Sequence, residues 1–136
     1  KSVGALVMGS TTYRWVVEHE PGDWPYPQPT WVLTSRSDVV VDGHPVHAVS
    51  GDVTQLHPTL VEAAGGRDVW VVGGGDVAAQ FVAAGLVDEV RMDVVPVVFG
   101  SGKRYFGSVS AQHMLEDPDV VIQGTRVQHL RYRVRR

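Results

Sequence analysis

No cysteine occurs in the chain, which excludes disulfides, thiolate metal sites and a cysteine nucleophile together. That fits a reducing compartment, and a cytoplasmic location is the expectation. No stretch approaches the ~20 consecutive apolar residues that a membrane span needs. Positive charge is not in excess either. Twelve Lys and Arg stand against fifteen Asp and Glu, for a net charge of −3. Neither nucleic acid nor a membrane surface is therefore an expected partner. Metal-ligand spacing is also missing. The six histidines, His19, His44, His47, His57, His113 and His129, form no H-E-x-x-H pair. His44-x-x-His47 encloses Pro45, which argues against a shared helical face. All six read as loop or surface residues, and no metal is expected.

What is present is ordinary globular composition, 43% hydrophobic and 20% charged over 136 residues. That is one domain with enough chain to bury a core. Val3–Met8 is an apolar run closed by Gly9-Ser10-Thr11-Thr12. It reads as a buried strand followed by a helix capped by Ser10, Thr11 or Thr12. Four prolines between Pro21 and Pro29 make a stiff loop. Thr30–Thr34 is a second strand. Val39–Val41 and Val46–Val49 are weaker candidates around the turn signal Asp42-Gly43. Residues 53–65 are helical, with Pro58 expected in the first turn.

Asp68–Val72 is a third strand, and it runs directly into Gly73-Gly74-Gly75. A helix over Asp76–Ala84 follows, with Gly85 as its C-cap. Val87–Val95 is a fourth strand. Pro96–Gly107 is a glycine-punctuated loop. Val120–Ile122 and Arg126–Val134 form an antiparallel hairpin turned at Gln123-Gly124. The fold class is therefore α/β in three layers. A central, mostly parallel sheet carries helices on both faces and a C-terminal antiparallel hairpin.

The chemistry concentrates at strand ends. Gly73-Gly74-Gly75 joins a buried strand to a helix N-terminus. Glycines admit close backbone approach, and the free N–H groups of the helix attract phosphate. A plain tight turn would need fewer glycines. The triplet matches neither G-x-G-x-x-G in full nor the lysine-bearing phosphate loop. Gly9-Ser10-Thr11-Thr12 and Thr34-Ser35-Arg36 end two other strands with hydroxyls and a guanidinium. These also suit phosphate oxygens. Arg131, Arg133 and Arg135 alternate with apolar residues as the outward face of a half-buried strand.

Four segments together resemble the dihydrofolate-reductase-like superfamily. They look most like the pyrimidine reductase domain of riboflavin biosynthesis and its stand-alone relatives. Met8-Gly9-x-x-Thr12-Tyr13 is similar to the family's Met-Gly-Arg-x-Thr-Tyr/Trp segment. Val32-Leu33-Thr34-Ser35-Arg36 resembles its Val-Leu-Ser/Thr-x-Arg strand end. Val72-Gly73-Gly74-Gly75 with Gln80-Phe81 resembles its Ile-Gly-Gly-Gly helix. The stretch from Pro96 through Phe99-Gly100-Ser101-Gly102 to Tyr105-Phe106 resembles the loop of the riboflavin branch.

The resemblance implies NADPH as cofactor, with NADH less favoured, and a hydride acceptor of pterin or pyrimidine type. The adenosine 2′-phosphate would lie by Thr34, Ser35 and Arg36. The pyrophosphate would lie between Gly9, Ser10, Thr11 and Thr12 on one side and Gly74, Gly75, Asp76, Val77 and Ala78 on the other. A cis Gly73-Gly74 peptide is expected. Val72, Phe99 and Gly100 are the candidate substrate pocket. Ser10 stands where the family's phosphate-binding arginine usually is, and Asp76 must turn away from the phosphates. The alternative is a nucleotide- or ligand-binding protein that keeps the cleft without turnover. The resemblance also implies a small-molecule substrate, a homodimer, and an N-terminal strand and loop ahead of Lys1. No catalytic residue is assigned.

Overall fold

The computed structural model describes residues 2–124 and 126–136. The elements run β1 (Val3–Gly9), α1 (Ser10–His19), β2 (Thr30–Leu33), a 3-10 turn (Ser37–Val39), β3 (Val46–Val49), α2 (Val53–Ala64), β4 (Asp68–Gly73), α3 (Gly75–Ala83), β5 (Glu89–Val94), β6 (Asp119–Gln123) and β7 (Val127–Arg133). β1 to β4 form a parallel sheet in the order β3-β2-β1-β4.

β1 explains the layering. Its consecutive residues Ala5 to Met8 are all fully buried. Val7 enters a cluster with Val53, Leu56 and Leu60 of α2 and Val77 and Phe81 of α3. Leu6 and Met8 point the other way, into a cluster with Tyr13 of α1 and Val32. A strand apolar on both faces needs cover on both, and the helices supply it. α2 packs closely over Gly4. A methyl group there would lie 2.2 Å from the Ala64 carbonyl oxygen.

The fourth expected strand is placed differently. β5 does not extend the parallel sheet. It pairs antiparallel with β7, and β7 pairs with β6, giving a separate sheet in the order β5-β7-β6. The alternation of Arg131 and Arg133 with half-buried Leu130 and Tyr132 is as expected for a strand with one covered face. Its pairing partners are long-range and carry no local signal.

Several boundaries also move. Val39–Val41 forms no strand. The 3-10 turn occupies its start. None of Ser10, Thr11 or Thr12 caps α1. Its N-cap is Gly9, and no side chain bonds to the helix start. Pro58 lies in the second turn of α2, because Asp52 is the cap and accepts from the Thr54 N–H at 2.8 Å. α3 begins one residue early, at Gly75. It closes with Gly85 just past the cap, where Gly85 and Leu86 donate to the Val82 and Phe81 carbonyls at 3.0 Å each. Among the described residues, no helix is long and apolar enough to cross a membrane.

Candidate functional site: a cleft at three strand ends

In a parallel sheet all strands end on one edge. β1 sits between β2 and β4, with Gly9 level with Leu33 and Met8 level with Gly73. The three predicted segments are therefore neighbours. Gly9–Thr12 lies in the middle, Thr34–Arg36 follows β2 on one side, and Gly73–Gly75 follows β4 on the other. This is the position at which open α/β sheets take ligands.

Two helices start there. α1 begins at Ser10 behind Gly9, and α3 begins at Gly75 behind Gly74. Neither start carries a side-chain cap. The first N–H groups of each helix are thus left for an acceptor from elsewhere. α2, whose start is closed by Asp52, has no such opening. The two starts converge. A methyl group at Gly9 would lie 3.7 Å from the Gly74 nitrogen and 3.2 Å from Val77 Cγ2. Gly73 has φ +145°, a conformation that glycine adopts readily, and the Gly73-Gly74 peptide is cis. The Thr12 hydroxyl faces that peptide. It would lie 3.4 Å from a methyl at Gly73 and 3.6 Å from one at Gly74.

The individual residues contribute differently. Val77 is buried in the core, so only its backbone can face a ligand. The Ala78 N–H already donates to the Gly74 carbonyl at 3.0 Å. Its methyl group is what it has left to offer. The Asp76 carboxylate packs against Gly107. Thr34 and Arg36 form a tight turn, with the Arg36 N–H donating to Thr34 Oγ1 at 3.1 Å. The Arg36 guanidinium is engaged by Asp38. That contact holds the Asp38 carboxyl below, and the guanidinium above, its ordinary value. Ser35 is exposed beside it.

The proposed substrate residues are not brought together. Val72 packs against the Leu6–Tyr13 cluster. Phe99 is 74% exposed, and a methyl group at Gly100 would meet nothing within 4 Å. The end of the same loop does reach the cleft. Gly107 donates to the Gly75 carbonyl at 2.9 Å, and a methyl at Gly75 would lie 2.8 Å from the Arg104 carbonyl oxygen. Residues 104–107 therefore lie across the first turn of α3. Sequence reasoning missed this contact and the Asp38 partner of Arg36. Asp38 was visible two residues away.

Loop aromatics and a histidine complete the α1 face. Trp24 packs on Tyr13 with ring centroids 5.3 Å apart, so the proline loop packs on its own helix. Tyr13 Oη accepts from the Val41 N–H at 3.0 Å and lies 2.9 Å from His44 Nδ1. His44 is thus a structural partner. Among the described residues no group of His, Asp and Glu is arranged to hold a metal ion.

The chain belongs to the family of the RibD C-terminal domain, whose model matches residues 7–130. It is 27% identical over 116 residues to YwjB, an uncharacterized protein of Bacillus subtilis strain 168, covering 85% of this chain and 65% of that one. The chain spans less than two thirds of the length of the curated relatives it matches. Among solved structures, one named for riboflavin biosynthesis, from Shewanella sp. PV-4, superposes with a TM-score of 0.81 at 26% identity, covering 98% of this chain and 75% of that one. Dihydrofolate reductase from Enterococcus faecalis, complexed with NADP(H), superposes with a TM-score of 0.61 at 20% identity, covering 96% and 73%. The fold is that of the dihydrofolate-reductase-like proteins, in the riboflavin-pathway reductase-like branch.

Proposed function

We propose that the cleft binds NADPH and that the chain is a nicotinamide-dependent reductase of a small pterin- or pyrimidine-like heterocycle. The observation that carries this is the convergence of two uncapped helix starts on Gly9 and Gly74. Such a pair of positive helix ends suits a pyrophosphate. Gly73 and Gly74 leave room beside Thr12 that a side chain would fill. The E. faecalis reductase of the same fold is complexed with NADP(H), which supports the choice of cofactor. When bound, the nicotinamide supplies hydride to the acceptor. This chain's part is to fix the phosphates at Gly9–Thr12 and Gly74–Val77, and to place the ribose end by Thr34–Arg36. Positioning accounts for much of the rate in such reactions.

Steady-state oxidation of NADPH against a panel of pterins and pyrimidines tests this reading. Saturable turnover with one class is expected. Saturable NADPH binding with no turnover on any acceptor would favour a ligand-binding protein instead. One observation points that way, namely that Asp38 already occupies the guanidinium meant for the 2′-phosphate.

Two further parts of the proposal concern assembly. β4 and β5 are the open edges of their sheets, and Arg91 of β5 reaches Asp68 of β4 at 3.9 Å. We propose that an additional strand pairs between these edges. Exposed Val94, Val97, Val98 and Phe99 supply the apolar patch of a homodimer. Sedimentation should show a dimer that Val98→Asp dissociates.

A further inference from the structure

Beyond the cleft, a cavity of about 630 Å³ lies between the C-terminal half of α3, β5 and the segment after Arg104. That volume is typical of sites for small organic ligands. Its apolar walls include Val82 of α3, Val90 of β5, Phe106, Leu115 and Val134. Water held against such walls finds few hydrogen-bond partners, so an apolar body displaces it readily.

The polar lining has one sign. Arg104, Ser108 and His113 line the cavity, and no Asp or Glu does. Arg36, Arg91, Arg131 and Arg136 are each paired with a carboxylate. Arg104 has no such partner among the described residues, although Asp76 packs against Gly107 nearby. Arg104 is an exposed residue of the lining, and a guanidinium without a carboxylate partner at the mouth of an apolar cavity suits an anion that carries an apolar body.

We propose that this cavity is a second ligand site, separate from the strand-end cleft, for a small amphipathic organic anion held by Arg104. The site does not depend on the chain being a reductase. It does share a wall with the cleft, since Gly107 lines the cavity and bonds to Gly75.

The probe is 8-anilinonaphthalene-1-sulfonate, an aromatic sulfonate that fluoresces on entering apolar sites. The expected result is saturable binding at one site, undiminished by saturating NADP⁺. Octanoate should displace it, and octan-1-ol should do so far less well. Arg104→Gln should weaken it roughly tenfold, the worth of a hydrogen bond to a charged group. Ala111→Phe, which fills the chamber from an exposed position, should abolish it with an unchanged urea midpoint. Displacement by NADP⁺, equal competition by octanoate and octan-1-ol, or binding unchanged in both variants would each overturn the proposal.

Discussion

The Arg36 guanidinium grips Asp38 through two hydrogen bonds, Nε to Oδ1 at 3.2 Å and a terminal nitrogen to Oδ2 at 2.8 Å. The pair stands at the end of β2, where a 2′-phosphate would sit. Both side chains are largely exposed, so the pair is weak and can be exchanged for a stronger anion. Asp38→Asn should therefore raise affinity for NADPH several-fold while leaving NADH unchanged. Arg36→Gln should bring the two cofactors together. Fluorescence titration of each variant with both nucleotides checks this.

The loop over α3 gives a second prediction. A side chain at Gly75 would meet three backbone atoms, the Arg104 carbonyl at 2.8 Å, the Gly107 nitrogen at 3.1 Å and the Tyr105 carbonyl at 3.3 Å. Backbone cannot rotate aside as a flexible side chain does. Gly75→Ala should displace residues 104–107, cost about 1–3 kcal/mol as overpacking does, and weaken nucleotide binding. A urea titration and a binding titration measure the two effects.

Gly4→Ala is the complementary case. The added methyl would strike Ala64 of α2, far along β1 from Gly9. It should destabilise by a similar amount, about 1–3 kcal/mol. Nucleotide affinity of the folded fraction should not change. Loss of both in Gly4→Ala would mean that stability, rather than the cleft, governs binding.

Asp52 links stability to pH. The Thr54 backbone N–H holds its carboxyl below the ordinary value. A depressed carboxyl stabilises the fold above its unfolded value and loses that contribution as pH falls through the folded one. Asp52→Ala should lower the urea midpoint at neutral pH. In strong acid the variant and the parent should unfold alike.

Much of the cleft was legible because it is local. A strand, three glycines and a helix occupy consecutive residues, and parallel pairing then puts every strand end on one edge. The same reasoning located Gly9–Thr12 and Thr34–Arg36. Side-chain and long-range facts were not legible. The cap of α1 fell to Gly9 although three hydroxyls follow it. β5 joined β7 across 34 to 44 residues of sequence, between Val94↔Gln128 and Glu89↔Arg133. Phe99 and Gly100 share a motif with Tyr105-Phe106, yet the loop turns only its far end onto α3. Such choices depend on packing between distant segments, which periodicity does not encode.

Thr12 offers a direct probe of the cleft. Its hydroxyl faces the Gly73-Gly74 peptide where two helix starts meet. Thr12→Val keeps the shape and removes the polar atom. The most direct test is a calorimetric titration of the purified protein and this variant with NADPH. Saturable one-to-one binding by the parent is expected, with markedly weaker binding by Thr12→Val at an unchanged melting temperature. Absence of saturable binding to the parent, or identical binding by both, would contradict the proposal that the cleft binds NADPH.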